Sequence, residues 1–282
     1  MKEFLRRVAE LLVSNETLWT PVRKTLVRGS QFLCAMRESY EADRVVAETP
    51  ALRNALAARL VVAGPFQGMK YGNTEARCST LYPKLLGTYE NELAAEVDAA
   101  IAKRHAIVVD VGAADGYYAV GFAYRNPDAK IIAFEQDPRA QVELEKLAAL
   151  NGVSDRIDVR GHCGPGDIQG LSGKSGLVIV DCEGFEDKIL SEENIRHLRG
   201  WDFIIETHDG FSPEVTKRLE ARFAGTHEVR QIDAIHDYDK LDHVEVPLLK
   251  GLPRRAADKV VAEGREHACL RWLCCTPRMG NK

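Results

Sequence analysis

From residue 106 onward the chain alternates between short, near-continuous apolar runs and longer stretches whose apolar positions return with helical period. The runs fall near residues 106–111, 130–135, 156–160, 176–182 and 202–207, and 138–151 is one of the helical patterns between them. Strands that are apolar on both faces belong to a parallel sheet covered by helices on both sides, because only there is neither face wetted. A helix near 213–224, a strand at 227–233 and a last strand through 269–275 complete the pattern. The expected fold is α/β: a Rossmann-like, doubly wound, seven-stranded and mostly parallel sheet.

Residues 1–100 lack this alternation and read as a helical N-terminal extension, an accessory or lid segment ahead of a sheet domain at 101–282. Phe4, Leu5, Val8, Leu11 and Leu12 share one helical face, which reads as a docking face. Between 64 and 90 glycine and proline punctuate the chain, and the segment reads either as a cover over the ligand mouth or as an ordinary loop. Residues 236–268 are polar, carry Pro247, Gly251 and Pro253, include a helical pattern near 254–264, and read as an insertion on the substrate side.

Composition narrows the partners. A formal charge of −4 over 282 residues provides no basic field of the kind that concentrates nucleic acid, so a nucleic-acid partner is not expected. No apolar run approaches the roughly 18–20 residues of a membrane span, and the N-terminus has no uninterrupted hydrophobic signal region, which predicts a cytoplasmic protein. The seven cysteines, at 34, 78, 163, 182, 269, 274 and 275, lack paired zinc spacing and are expected as reduced, mostly buried thiols. Nothing in the sequence fixes an oligomeric state.

The chemistry is concentrated where strands end. Ile107 to Val111 runs into Gly112, Ala113, Ala114, Asp115 and Gly116, a small-residue turn that opens a helix at Tyr117. About 20 residues on, Ile131-Ile132-Ala133-Phe134 ends in Glu135, at the spacing where a nucleoside-binding α/β fold holds ribose hydroxyls. A dinucleotide fingerprint has a third small residue where this chain has Tyr117, and Asp115 places a carboxylate where a pyrophosphate would come. S-adenosylmethionine, with a sulfonium, an ammonium and a single carboxylate, fits that charge balance better. Asp115 also reads simply as a helix cap. The candidate cofactor-binding residues are Asp110, Gly112, Ala113, Ala114, Gly116, Tyr117, Glu135, Gln136 and Asp181, with Gly161, His162 and Cys163 in the loop after the third strand near an adenine.

The fourth strand leads into Asp181-Cys182-Glu183-Gly184 and the fifth into Glu206-Thr207-His208-Asp209. If the two strands are neighbours, Asp181, Glu183, Glu206 and His208 converge and are the candidate catalytic groups. Because a sulfonium methyl is already activated, such a site needs alignment of an acceptor and removal of its proton, by His208 or by Asp181 or Glu183. Asp181 alternatively holds the cofactor ammonium, Glu183 caps the next helix, and His208 is a hydrogen-bonded structural residue. The same donors suit a divalent cation, but no diagnostic ligand spacing accompanies them and the sequence assigns no metal. Cys182 lacks the preceding proline of covalent pyrimidine methylation and reads as buried filler.

On the segment from Asp110 to Gly116, Glu135, the stretch Asp181-Cys182-Glu183-Gly184-Phe185-Glu186 and the Glu206-Thr207-His208 ending, the chain resembles class I S-adenosylmethionine-dependent methyltransferases, and within them the FkbM group. The resemblance covers roughly residues 105–210. It implies methyl transfer, commonly to a hydroxyl of a small molecule or glycan, with Asp110, Gly112 and Gly116 around the methionine portion, Glu135 on the ribose and Asp181 facing the reacting centre. An acidic Asp115 and the first hundred residues depart from the group. Two further readings stand beside O-methylation: a nitrogen acceptor in a small molecule, protein or RNA, and a non-catalytic cofactor-binding scaffold on the same fold.

Overall fold

The computed structural model describes residues 15, 17, 36–74, 76, 80–171, 175–210, 214–264 and 270–278. The face formed by Phe4, Leu5, Val8, Leu11 and Leu12, together with Cys34, Cys78 and Cys269, lies outside them. Seven strands form one sheet: β1 (Ile107–Val111), β2 (Lys130–Phe134), β3 (Ile157–Arg160), β4 (Leu177–Val180), β5 (Asp202–His208), β6 (His227–Asp233) and β7 (Leu270–Pro277). Their order across the sheet is β3-β2-β1-β4-β5-β7-β6. The first five are mutually parallel, and β7 runs antiparallel to both β5 and β6. The expected mostly parallel, doubly wound sheet is therefore the observed one, with each strand within a few residues of its sequence-based span.

Helices follow where local chemistry starts them. The helix after β2, Pro138–Leu150, has proline in its first turn and Asp137 accepting from the Arg139 amide at 2.9 Å, so it begins without orphaned donors. The helix after β1, Tyr117–Arg125, opens instead from Gly116 at φ 91°. A Cβ on Gly116 would lie 2.7 Å from Leu144 of the helix after β2, so glycine allows the two helices to approach.

The segment ahead of β1 is helical at 36–48, Pro50–Leu56, Leu81–Leu86 and Ala94–Ala102, with irregular chain at 57–74. It is continuous with the domain core. Leu52, Leu56, Val61, Phe66, Met69 and Leu85 belong to the same buried cluster as Val120, Ile204 and Trp272, covering one face of the sheet. Phe66 meets the ring edges of Tyr117 at 5.1 Å and Phe122 at 5.7 Å, and its ring takes the space that a Cβ on Gly121 would need. The opposite face is closed by a second cluster containing Val109, Val178, Ile205, Trp201 and Phe223.

Ahead of β7, Arg254–Val261 is a helix whose Ala257, Val260 and Val261 are buried. Among the described residues no helix is long and apolar enough to cross a membrane.

Because Phe66 is keyed into Gly121, truncation leaves a cavity that the helix backbone cannot fill. Phe66→Ala is expected to cost about 3–5 kcal/mol of unfolding free energy in a urea titration. A loss below about 1 kcal/mol would mean that the 57–74 segment is dispensable to the core.

Candidate functional site

The strand order reverses between β1 and β4, where the chain leaves the sheet in opposite directions and opens a crevice beyond the carboxyl ends. A cleft of about 310 Å³ lies there. Its floor is the turn after β1. Gly112 has φ 87°, and a Cβ on it would collide with the carbonyl of Asp181, so only glycine lets the loops after β1 and β4 close on each other. Ala114 is left-handed at φ 46° and Glu183, in the loop after β4, at φ 54°. Both line the cleft, and left-handed backbone at non-glycine residues is strain that the surrounding structure must hold.

Glu135 ties the floor together. Its Oε2 accepts from the Ala114 amide at 2.8 Å and its Oε1 from the Asp137 amide at 2.7 Å. Each carboxylate oxygen has a second acceptor site, so the side chain retains capacity for hydroxyl donors. His162, Cys163, Phe134, Phe185 and Ile189 form the more apolar end, with the His162 and Phe185 rings edge to face at 5.8 Å. Burial pushes the Cys163 thiol up to about 12 and raises that of Cys182 further, so neither is a thiolate nucleophile.

Of the cofactor-binding candidates, Asp110, Gly112, Ala113, Ala114, Tyr117, Glu135, Gln136, Gly161, His162, Cys163 and Asp181 all line this cleft. Gly116 does not. Its α-carbon faces Leu144, because the residue that admits close helix packing sits behind the turn.

Asp115 is the larger correction. It is fully buried, its Oδ1 paired with Lys84 Nζ at 2.5 Å and its Oδ2 accepting from the Tyr71 hydroxyl at 2.5 Å. Its charge is thus compensated inside the protein and does not bias the cleft against a pyrophosphate. Lys84 is 2 % exposed, and the rings of Tyr89, Tyr117 and Tyr71 surround its ammonium at 5.1, 5.5 and 6.0 Å. Lys84 and Tyr89 also line the cleft, so the glycine- and proline-rich segment contributes to its wall.

The charge that does bear on a ligand is carried by Asp110 and Asp181. Asp110 is 3 % exposed and its Oδ2 has no hydrogen-bond partner. Burial, and then the neighbouring Asp181, push its carboxyl up to about 7, while the Ala119 backbone amide works the other way. Asp181 rises to about 6, through burial and then Glu90, with Glu206 and His208 opposing.

β4 and β5 are neighbours, with Val180 opposite Ile205, so Asp181 and Glu206 come together as expected. Nε2 of His208 lies 3.6 Å from Asp181 Oδ1, 3.6 Å from Glu206 Oε2 and 3.6 Å from Glu183 Oε2. Its Nδ1 lies 2.7 Å from Glu186 Oε1, which also accepts from the Gly184 amide at 2.9 Å. Burial alone would lower the imidazole's pKa, but the Glu186 bond and the fields of Asp181, Glu186 and Glu183 outweigh it and leave it raised. Asp181 and Glu183 line the cleft, whereas Glu206 and His208 stand behind them, 3 % exposed each.

Sequence reading holds Lys84, Tyr89 and Glu90 only as part of a segment that is either a cover or an ordinary loop, and gives Glu186 no role of its own. Glu90 is buried, left-handed at φ 47°, and accepts from the Tyr118 hydroxyl. No periodic pattern marks it, since it sits between helices. Glu186 was within reach: it follows Glu183 by three residues and starts a short helix, Glu186–Ile189.

No family model matches the chain, and no curated protein matches it. Among solved structures the chain is similar to cofactor-bound Rv0187 from MTB, at 14% identity and TM-score 0.46, over 79% of this chain and 88% of that one. It is also similar to the O-methyltransferase from Bacillus cereus in complex with SAH, at 10% identity and TM-score 0.47, over 83% and 90%. A third is the O-methyltransferase TomG from Streptomyces achromogenes in complex with SAM, at 12% identity and TM-score 0.45, over 63% and 76%.

Two outcomes follow from the buried charges. Lys84→Met strands the Asp115 carboxylate and is expected to destabilise by about 3–5 kcal/mol in chemical denaturation, with a near-neutral result contradicting the pairing. For Asp110, the native chain holds a proton that an unfolded carboxyl, titrating near about 4, releases. Stability present below that value is lost as pH rises towards 7. Wild type is therefore expected to lose melting temperature relative to Asp110→Asn between pH 5 and pH 8, and a pH-independent difference would contradict the placement.

Proposed function

We propose that the chain is an S-adenosylmethionine-dependent methyltransferase, of the FkbM kind, that methylates a hydroxyl of a small molecule or glycan. The observation that carries this reading is the buried Asp110 carboxylate, which lines the cleft with Oδ2 unpartnered. A cationic ligand group there recovers the interaction that burial has removed, whereas a pyrophosphate would meet Asp110, Glu135, Asp181 and Glu183, with Lys84 of the wall spent on Asp115. The sequence argument from Asp115 thus gives way to one from Asp110 and Asp181 with the same sign.

The residues fit the group on further grounds. Glu135 retains acceptor capacity for ribose hydroxyls, and the apolar end at Phe134, Cys163 and Ile189 suits a purine. When bound, S-adenosylmethionine supplies an activated methyl on a sulfonium. Asp110 and Asp181 hold the ammonium, Tyr117 and Tyr89 wall off the methionine end, Asp181 and Glu183 face the acceptor, and His208 stands behind them. Glu183 takes the acceptor's proton, and His208, with Nδ1 fixed on Glu186 and Nε2 3.6 Å from Glu183 Oε2, relays it onward. A nitrogen acceptor is favoured by one feature: the same acidic wall would draw an amine.

Titration calorimetry tests the reading. S-adenosylmethionine and S-adenosylhomocysteine are expected to bind, with NAD at least about 100-fold weaker and Asp110→Asn losing about 10-fold or more towards both, the size of a lost charge-assisted hydrogen bond. Preferential binding of NAD would overturn it. Once an acceptor is in hand, His208→Gln is expected to lower kcat by about 100-fold or more while cofactor affinity holds; unaltered turnover removes His208 from proton transfer.

A further inference from the structure

Tyr118 lines the cleft beside Tyr117, in the first turn of the helix after β1, and its hydroxyl donates to Glu90 Oε2. A phenol has one proton, so once that proton is committed to a carboxylate the oxygen can offer a ligand only its lone pairs. The bond to the carboxylate also polarises the hydroxyl and makes its oxygen the better acceptor. The ring is packed edge to face against Tyr117 at 5.3 Å and Phe66 at 6.0 Å, which gives the oxygen a defined place.

Glu90 is held in position by a buried network. Its backbone is left-handed at φ 47° in a buried turn, a conformation that a residue with a side chain keeps only where its surroundings impose it. The Glu90 amide donates to Glu263 Oε1 at 3.0 Å, and Glu263 pairs with Lys240, both side chains being almost fully buried. Asp237 accepts from the Glu263 and Gly264 amides at 2.8 and 2.9 Å. Chain that follows β6 thus anchors a turn that precedes β1. Anchored there, the Glu90 carboxylate acts on Asp181 more strongly than any other neighbouring charge, and on Asp110 as well.

We infer that Tyr118 is a binding residue for the positively charged end of the cofactor, its hydroxyl oxygen accepting from that end, and that Glu90 is the positioning residue that orients the hydroxyl. The inference rests on the S-adenosylmethionine reading, whose ligand carries two positive centres, an ammonium and a sulfonium. Asp110, with its buried and unpartnered Oδ2, already points to such a ligand. A neutral oxygen contributes what a further carboxylate in the cleft could not, because it accepts without adding to the repulsion between Asp110 and Asp181. An anionic group gains nothing from it, since the only proton of the hydroxyl is in use.

Calorimetry on the full chain tests this with S-adenosylmethionine, S-adenosylhomocysteine and 5′-methylthioadenosine, a neutral thioether that keeps the adenine and ribose. Tyr118→Phe is expected to weaken S-adenosylmethionine by about 10-fold and 5′-methylthioadenosine by less than about 2-fold, the second result showing that the variant's cleft is intact. An equal loss for S-adenosylhomocysteine assigns the oxygen to the ammonium, and a loss confined to S-adenosylmethionine assigns it to the sulfonium; both support the inference. Glu90→Gln is expected to weaken the same charged ligands, with a smaller effect in the Tyr118→Phe background because the two residues act through one oxygen. Equal weakening of all three ligands by Tyr118→Phe, or no weakening, overturns binding by Tyr118, and fully additive losses overturn positioning by Glu90. A wild-type chain that binds none of the three removes the S-adenosylmethionine reading and the inference with it. Wild-type binding that Tyr118→Phe leaves unaltered removes the inference alone.

Discussion

Uncompensated negative charge beyond the carboxyl ends of β1, β4 and β5 is the constraint on which the rest of the site depends. Burying a carboxylate is costly unless a cation, a proton or a set of donors meets it. The chain meets Asp115 with Lys84 and Tyr71, and Glu135 with two backbone amides. It leaves Asp110 and Asp181 with unpartnered oxygens, and their raised pKa values register that cost. Charges a fold has not satisfied are where a ligand's own charge contributes most to binding.

The architecture explains why these groups are together. Parallel strands deliver their carboxyl ends to one edge, and the reversal of order between β1 and β4 opens that edge. Gly112 lets the two loops approach until the Asp181 carbonyl sits where a side chain would be, which brings Asp110 and Asp181 into each other's field. The segment before β1 closes the other side through Lys84 and Tyr89, and it is held to the sheet by the packing of Phe66 on Gly121. Strain at Ala114 and Glu183, and like charges beside them, mark the place where the fold forgoes stability for a binding surface.

What could be read from the sequence follows the range of the interaction. The strands were legible because their periodicity and turn residues are local, and the cleft floor because Gly112, Ala114 and Glu135 lie at a spacing that the βα unit fixes. Asp115 was misread because its partners are 31 and 44 residues away in a segment with no periodic pattern. Gly116 packs against Leu144 of the neighbouring helix, a role that the sequence does not separate from a ligand contact, since glycine serves equally for close approach to a ligand and to a helix. Asp181, Glu206 and His208 were found as strand-end residues, but their distances depend on the register of β4 and β5, which no single-strand pattern contains.

The central claim is that the Asp110 carboxylate awaits a cation supplied by the ligand. The most direct measurement is the titration of the Asp110 side-chain carboxyl by carbon-13 NMR, alone and with saturating S-adenosylhomocysteine, which retains the ammonium. The account predicts a pKa near 7 in the free protein and a fall of at least about one unit on binding, since an opposite charge within about 4–6 Å favours the ionised form. An ordinary carboxylate value in the free protein, or a value that ligand leaves unmoved, would contradict it.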